Sequence, residues 1–115
     1  MRTKFKAWAE PYLNEHPEIQ ITLEDAPTIN DVVLEIGSGK GQFLLDMALK
    51  YPDLSFIGVE RNITCAGFTA KKLVENEISN AKLLKIDAAL FIKDLKDESV
   101  NTIFLNFSDP WPKTK

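Results

Sequence analysis

Three glycines with the spacing Gly-x-Gly-x-Gly, at Gly37, Gly39 and Gly41, follow directly on a short apolar run in EIGSGKG. Glycine at such a place lets the backbone turn tightly and come close to a ligand with no Cβ in the way. The spacing alone fits a ligand loop or a mere tight turn equally well. Acidic residues shift that balance. Glu35 stands two residues before the first glycine, and Glu60 and Asp87 each close a later apolar run. An acid after a second strand is placed to accept both hydroxyls of a ribose. The other reading of Glu60 is a solvated strand end. Asp87 could receive the exocyclic amine of an adenine ring, or simply cap the helix that follows it.

The residues around the glycines narrow the ligand. A P-loop needs Gly-Lys-Ser/Thr, but Lys40 is followed by Gly41. A dinucleotide fingerprint wants its third glycine where Gln42 stands. Glu35, expected at the mouth of the pocket, would repel a pyrophosphate. It would favour a ligand carrying an ammonium and a sulfonium, which points to S-adenosylmethionine rather than NAD.

A second constellation closes the chain, in NFSDPWPK over residues 106–113. The prolines on either side of Trp111 keep the segment extended and stiff. At the end of a fourth strand, Asp109 would face the first strand across the switch point, where cofactor and acceptor meet. An Asp-Pro turn is the plainer alternative. Trp111 could stack on a base or pack the loop, and Lys113 suits a phosphate contact.

These residues need elements to hold them. Apolar runs at 31–36, 54–59, 81–86 and 100–107 read as buried parallel strands. Between them, 41–51 reads as a helix with Phe43, Leu44, Met47, Ala48 and Tyr51 on its core face. A second helix over 62–78 turns Ala66, Ala70, Leu73 and Val74 inward, and a third, short one covers 88–95. Strand–helix alternation with short links predicts a doubly wound α/β sheet. Residues 1–30 read as a lead-in, with a short helix limited by Pro11.

Composition sets outer bounds. At 115 residues, with 44% hydrophobic and 27% charged, the chain fits one globular domain. It has no apolar run of membrane-spanning length and no leader pattern. Its single cysteine, Cys65, excludes an internal disulfide and reads as a small buried residue. His16 has no companion ligands, so no metal site is expected. The net charge of −3 lacks the basic footprint of a self-sufficient nucleic-acid binder, although Arg2, Lys4 and Lys6 gather at one end.

Taken together, EIGSGKG and NFSDPWPK resemble the bacterial single-chain tRNA (guanine-N7)-methyltransferases over residues 31–113. The resemblance implies a Rossmann-like class I S-adenosylmethionine-dependent fold. By motif position it implies that Glu35, Gly37, Gly39, Gly41, Glu60, Asp87 and Asp109 contact the cofactor. It further implies that Asp109 is catalytic, that Lys113 binds RNA, and that N7 of a tRNA variable-loop guanine is the acceptor. A cytoplasmic monomer or homodimer, free of membrane, is the matching expectation.

The family continues past this tail with a basic segment and further strands, where this chain stops at Lys115. The expectation is therefore a cofactor-binding half truncated after the fourth strand, in the order 3-2-1-4. Its fourth strand would be an exposed edge and its own activity weak. Two rivals stand beside this reading. An adenine or cytosine amino-methyltransferase would carry a second proline where Trp111 stands, and a non-catalytic module would bind cofactor or partner without turnover. An NAD-dependent dehydrogenase comes third, disfavoured by Gln42 and Glu35.

Overall fold

The computed structural model describes residues 4–22, 24–25 and 31–86, and the backbone of 100–105. Strands β1 (Val32–Ile36), β2 (Phe56–Val59), β3 (Ala81–Leu84) and β4 (Val100–Leu105) form one sheet in the order β3-β2-β1-β4. Every pairing is parallel, with Val33 opposite Phe56 and Phe56 opposite Ala81. The order reverses between β1 and β4, which makes the gap beside the carboxyl end of β1 the switch point of an open α/β sheet. The predicted order is the observed one, and β4 ends it among the described strands.

Alternation along β1 sends its side chains to two apolar layers. Val33 joins Leu44, Ala48, Phe56, Ala66, Ala70, Leu73, Ala81 and Leu83 on one face. Val32, Leu34 and Ile36 join Ile57, Val59 and Leu84 on the other. Helices α1 (Ala9–Glu15), α2 (Gln42–Lys50) and α3 (Ile63–Glu75) all contribute to the first layer or pack against it. Both α2 and α3 return the chain to a strand further out on the same side. Two crossovers of the same hand must lie on the same face.

The lead-in is part of this core. Pro11 occupies the first turn of α1, where a missing N–H costs no hydrogen bond. Leu13 and, from the 3-10 turn Pro17–Ile19, Ile19 are buried in the first layer. Gly67 in α3 allows the close approach: a Cβ there would lie 2.5 Å from Cβ of Ala9. Gln20 then bridges to Leu83 beside β3.

Two helical details depart from expectation. Leu45, not Tyr51, completes the core face of α2, and Tyr51 is 41% exposed. Tyr51 is the C-cap, with φ −123° and ψ 73°, so its side chain leaves the helical stripe. Phe43 and Met47 are half-buried at the margin of that stripe. Helix α3 stops at Glu75 rather than running to residue 78. Its end is a Schellman closure, with the Ile78 amide donating to the Leu73 carbonyl (2.9 Å) and the Glu77 amide to that of Val74 (3.1 Å).

That closure puts Glu77 at φ 54°, in the left-handed region that a side chain disfavours. Glu77→Gly is expected to raise the unfolding free energy by roughly 1 kcal/mol. A higher urea midpoint at unchanged slope would register it.

Candidate functional site

The glycine loop leaves β1 at the carboxyl edge of the sheet and enters α2. Gly37, Gly39 and Gly41 all have positive φ, at 74°, 58° and 89°. At Gly41 a Cβ would also come within 2.8 Å of the Thr69 backbone in α3. The third glycine is thus required twice, by its torsion and by the helix packed on it.

Strand β2 holds the loop from beneath. The Val59 carbonyl accepts from the amides of Gly37 (2.8 Å) and Ser38 (3.1 Å), extending the β1–β2 ladder into the turn. Glu60 follows immediately, and its own amide donates to the Leu84 carbonyl of β3 at 3.0 Å. Its carboxylate accepts the Gly39 amide on Oε1 at 2.8 Å and the Asn62 amide on Oε2 at 3.1 Å. Glu60 is only 7% exposed, which corrects the reading of a solvated strand end. Charge-assisted bonds of this kind contribute about 1.5–3 kcal/mol each. A carboxylate has roughly four acceptor positions, so about two remain for a ligand hydroxyl pair.

Glu35 lies in β1 opposite Gly58 of β2 and is 2% exposed. It is therefore buried rather than standing at an open mouth. Gly58 leaves room there: a Cβ would meet Leu44 Cδ2 at 2.8 Å and Ser38 Cβ at 3.1 Å. The Ser38 hydroxyl, 3% exposed, has no hydrogen-bond partner among the described residues. The loop's one lysine, Lys40, places its ammonium over the Phe68 ring of α3, 5.0 Å from the centroid.

Helix α3 holds the loop from the side. Thr69 is fully buried, and its hydroxyl is shared between the carbonyls of Gly39 (2.9 Å) and Cys65 (3.0 Å). The Lys72 ammonium donates to the Lys40 carbonyl at 2.9 Å. Burial first, and the neighbouring Lys40 charge second, hold the Lys72 pKa below the usual lysine value. The Asn62 side chain caps α3 by accepting the Cys65 amide at 2.9 Å. Cys65 itself is buried, as expected.

The structure brings Glu35, Gly37, Gly39, Gly41 and Glu60 together at one edge of the sheet. Asp87, Asp109 and Lys113, with Trp111 and the short helix expected over 88–95, lie outside the described residues. Among the described residues, no group of histidine, cysteine and acidic side chains could hold a metal, and no helix is long and apolar enough to cross a membrane.

A family model described as "Putative methyltransferase" matches residues 29–115. The chain belongs to this methyltransferase family. Among curated relatives, a tRNA (guanine-N(7)-)-methyltransferase of Lactobacillus gasseri is 41% identical, covering 100% of this chain and 58% of the relative. One of Oenococcus oeni is 40% identical with the same coverage. The chain thus spans about 58% of the length of these relatives. Among solved structures, PKMT2 from Rickettsia typhi in complex with AdoHcy gives a TM-score of 0.46 at 29% identity, over 69% of this chain and 15% of that one. Coclaurine N-methyltransferase bound to N-methylheliamine and SAH gives 0.47 at 21% identity, over 74% and 24%.

In this member of the family, Thr69 is a residue of the loop site that pattern reading missed. Its only signal was a hydroxyl on the otherwise apolar stripe of Ala66, Ala70 and Leu73. Thr69→Val keeps the shape but leaves the buried Gly39 carbonyl without that donor, at an expected cost of about 1–3 kcal/mol. Faster amide exchange at Gly39 and Gly41 should accompany the loss, whereas Thr69→Ser should exchange as the parent does.

Proposed function

We propose that this chain carries the cofactor-binding part, from residue 31, of a tRNA (guanine-N7)-methyltransferase. Its methyl donor is S-adenosylmethionine, and its acceptor is N7 of a guanine in the tRNA variable loop. The observation that carries the cofactor reading is the joint between Glu60 and Gly39, which fixes a glycine loop against the carboxyl ends of β1 and β2. The nucleotide and the acceptor atom rest on the names of the relatives and on the NFSDPWPK tail.

The residues present fit that donor. Two acceptor positions on Glu60 suit the ribose hydroxyls, and the buried Ser38 hydroxyl is a further polar group in the loop. The buried carboxylates of Glu35 and Glu60 favour a cationic ligand and oppose a pyrophosphate. When bound, S-adenosylmethionine supplies a methyl group made electrophilic by its sulfonium.

Guanine N7 already carries an in-plane lone pair, so this chain needs no strong general base. Its task is alignment and charge. The glycine loop, braced by Glu60 and Thr69, holds the donor side still. Asp109 takes hydrogen bonds from guanine N1–H and the 2-amino group, which selects guanine over adenine. The same carboxylate offsets the positive charge that develops on the purine. Asp87 receives the adenine amine and Lys113 a phosphate of the RNA. The protein acts in the cytoplasm, as a monomer or homodimer.

Isothermal titration with S-adenosylmethionine is expected to show one site on the 115-residue chain. Glu60→Gln should weaken it about 10- to 100-fold, because one amide oxygen cannot replace two carboxylate oxygens. With unmodified tRNA as acceptor, product should be cleavable after reduction and aniline treatment, the signature of N7-methylguanosine. Methyl on an exocyclic amine would replace this reading with an amino-methyltransferase. Tight cofactor binding with no transfer by the longest natural form of the protein would replace it with a binding module.

A further inference from the structure

The outer face of α3 carries cations that the methyl-transfer site does not use. The ammonium groups of Lys40 and Lys72 both lie over the ring of Phe68, at 5.0 and 5.8 Å from its centroid. Lys71 lies over the ring of Trp8, at 5.2 Å. The two rings meet edge to face at 5.1 Å, so the three lysines stand on one continuous aromatic base formed by α1 and α3. After burial, the charge that bears on Lys72 is that of Lys40. Two ammonium groups held close on one ring repel each other, and a bridging anion relieves that repulsion.

The position of this patch matters as much as its charge. Lys40 belongs to the glycine loop itself, so the patch begins at the lip of the cofactor crevice. The Lys6 amide donates to Thr64 Oγ1 at 3.1 Å, which sets the basic lead-in beside the first turn of α3. At the other end of α1 the sign changes: Glu75, Glu18 and Glu15 surround Tyr12 and, after burial, push its pKa up. Glu75 follows Lys71 and Lys72 by about one turn of α3, so the acids around Tyr12 begin where the lysines end.

We propose that Lys40, Lys71 and Lys72, seated on Phe68 and Trp8, form a phosphate-binding shelf for the RNA backbone at the rim of the crevice. This rests on the reading of RNA as the substrate. A strand whose base enters the crevice carries its flanking phosphates over the surrounding rim, and the lysine shelf forms one side of that rim. The lysines already cover a face of each ring, so the shelf takes phosphates and does not stack bases. Its contribution is to place the strand, with no preference for sequence.

The test measures binding of an unmodified tRNA transcript to the full 115-residue chain by fluorescence anisotropy over a series of salt concentrations. Lys40→Gln and Lys71→Gln, singly and together, remove charge while keeping much of each side-chain stem. Each is expected to weaken tRNA binding and to make the logarithmic salt slope shallower by about 1, the double variant by about 2. Titration with S-adenosylmethionine checks the fold of each variant, and Lys71→Gln should bind it as the parent does. If tRNA binds and the variants keep the parental slope, the shelf is overturned while the RNA reading stands. If the parent binds S-adenosylmethionine but no tRNA, the shelf is overturned, while the substrate reading is decided separately by the methyl-transfer product. Retention on phosphatidylserine vesicles in place of tRNA would overturn both in favour of a membrane surface.

Discussion

The carboxylate of Glu60 is the tie on which the site depends. Three glycines in the left-handed region make a loop that is easy to bend and costly to order, since glycine loses the most backbone freedom on folding. Something rigid must hold it. Glu60 is rigid because its own amide is bonded to Leu84 at the end of β3. From that anchor one oxygen takes the Gly39 amide and the other takes the Asn62 amide at the start of α3. A single side chain thus joins the sheet, the loop and the helix. An isolated charge so well buried would be strongly disfavoured; two backbone donors offset much of its desolvation.

The remaining braces follow from where α3 must run. Alanines at 66 and 70 let it sit close on the sheet, and this brings Thr69 against Gly41 and its hydroxyl onto the Gly39 carbonyl. Glu60 therefore holds the amide of Gly39 while Thr69 holds its carbonyl. Gly67 in turn lets α1 close on α3, and α1 supplies Trp8 beside Phe68. The lead-in helix, the loop and α3 behave as one packed unit rather than as an appendage on a domain. A ligand at the loop therefore meets a preformed surface, and little of its binding free energy is spent on ordering protein.

Much of this was legible in the amino-acid sequence, for definite reasons. Strands of a parallel sheet leave nearly unbroken apolar runs, so all four were visible, although ladder bonding trims β1, β2 and β3 by one or two residues. Order and handedness followed from alternation of strand and helix. The end of a helical stripe was not legible, because spacing puts Tyr51 on it and only its C-cap torsions take it off. Glycine spacing revealed the loop and its torsions. What it could not reveal was side chain to backbone bonding. Glu60 was read as facing a ligand or solvent, yet its first partners are amides of its own chain. Thr69 was invisible for the same reason: its role exists only once α3 is laid across the loop. The tail acids and Lys113 rest on the motif and on family membership.

Charge is the property that composition described least well. A net charge of −3 argues against contact with nucleic acid, but it is a sum over the whole surface. An approaching polyanion feels chiefly what lies within a Debye length, about 8–10 Å at ordinary ionic strength. Here the acids are sorted. Glu35 and Glu60 are buried at the carboxyl ends of β1 and β2. Others cluster around Tyr12, away from the loop. The lysines nearest the crevice are held outward on aromatic rings. Buried acids at the ends of β1 and β2 thus coexist with lysines held on aromatic rings beside the same loop. In the proposed reaction a cationic donor meets an anionic polymer beside this loop, and an acidic isoelectric point is compatible with that.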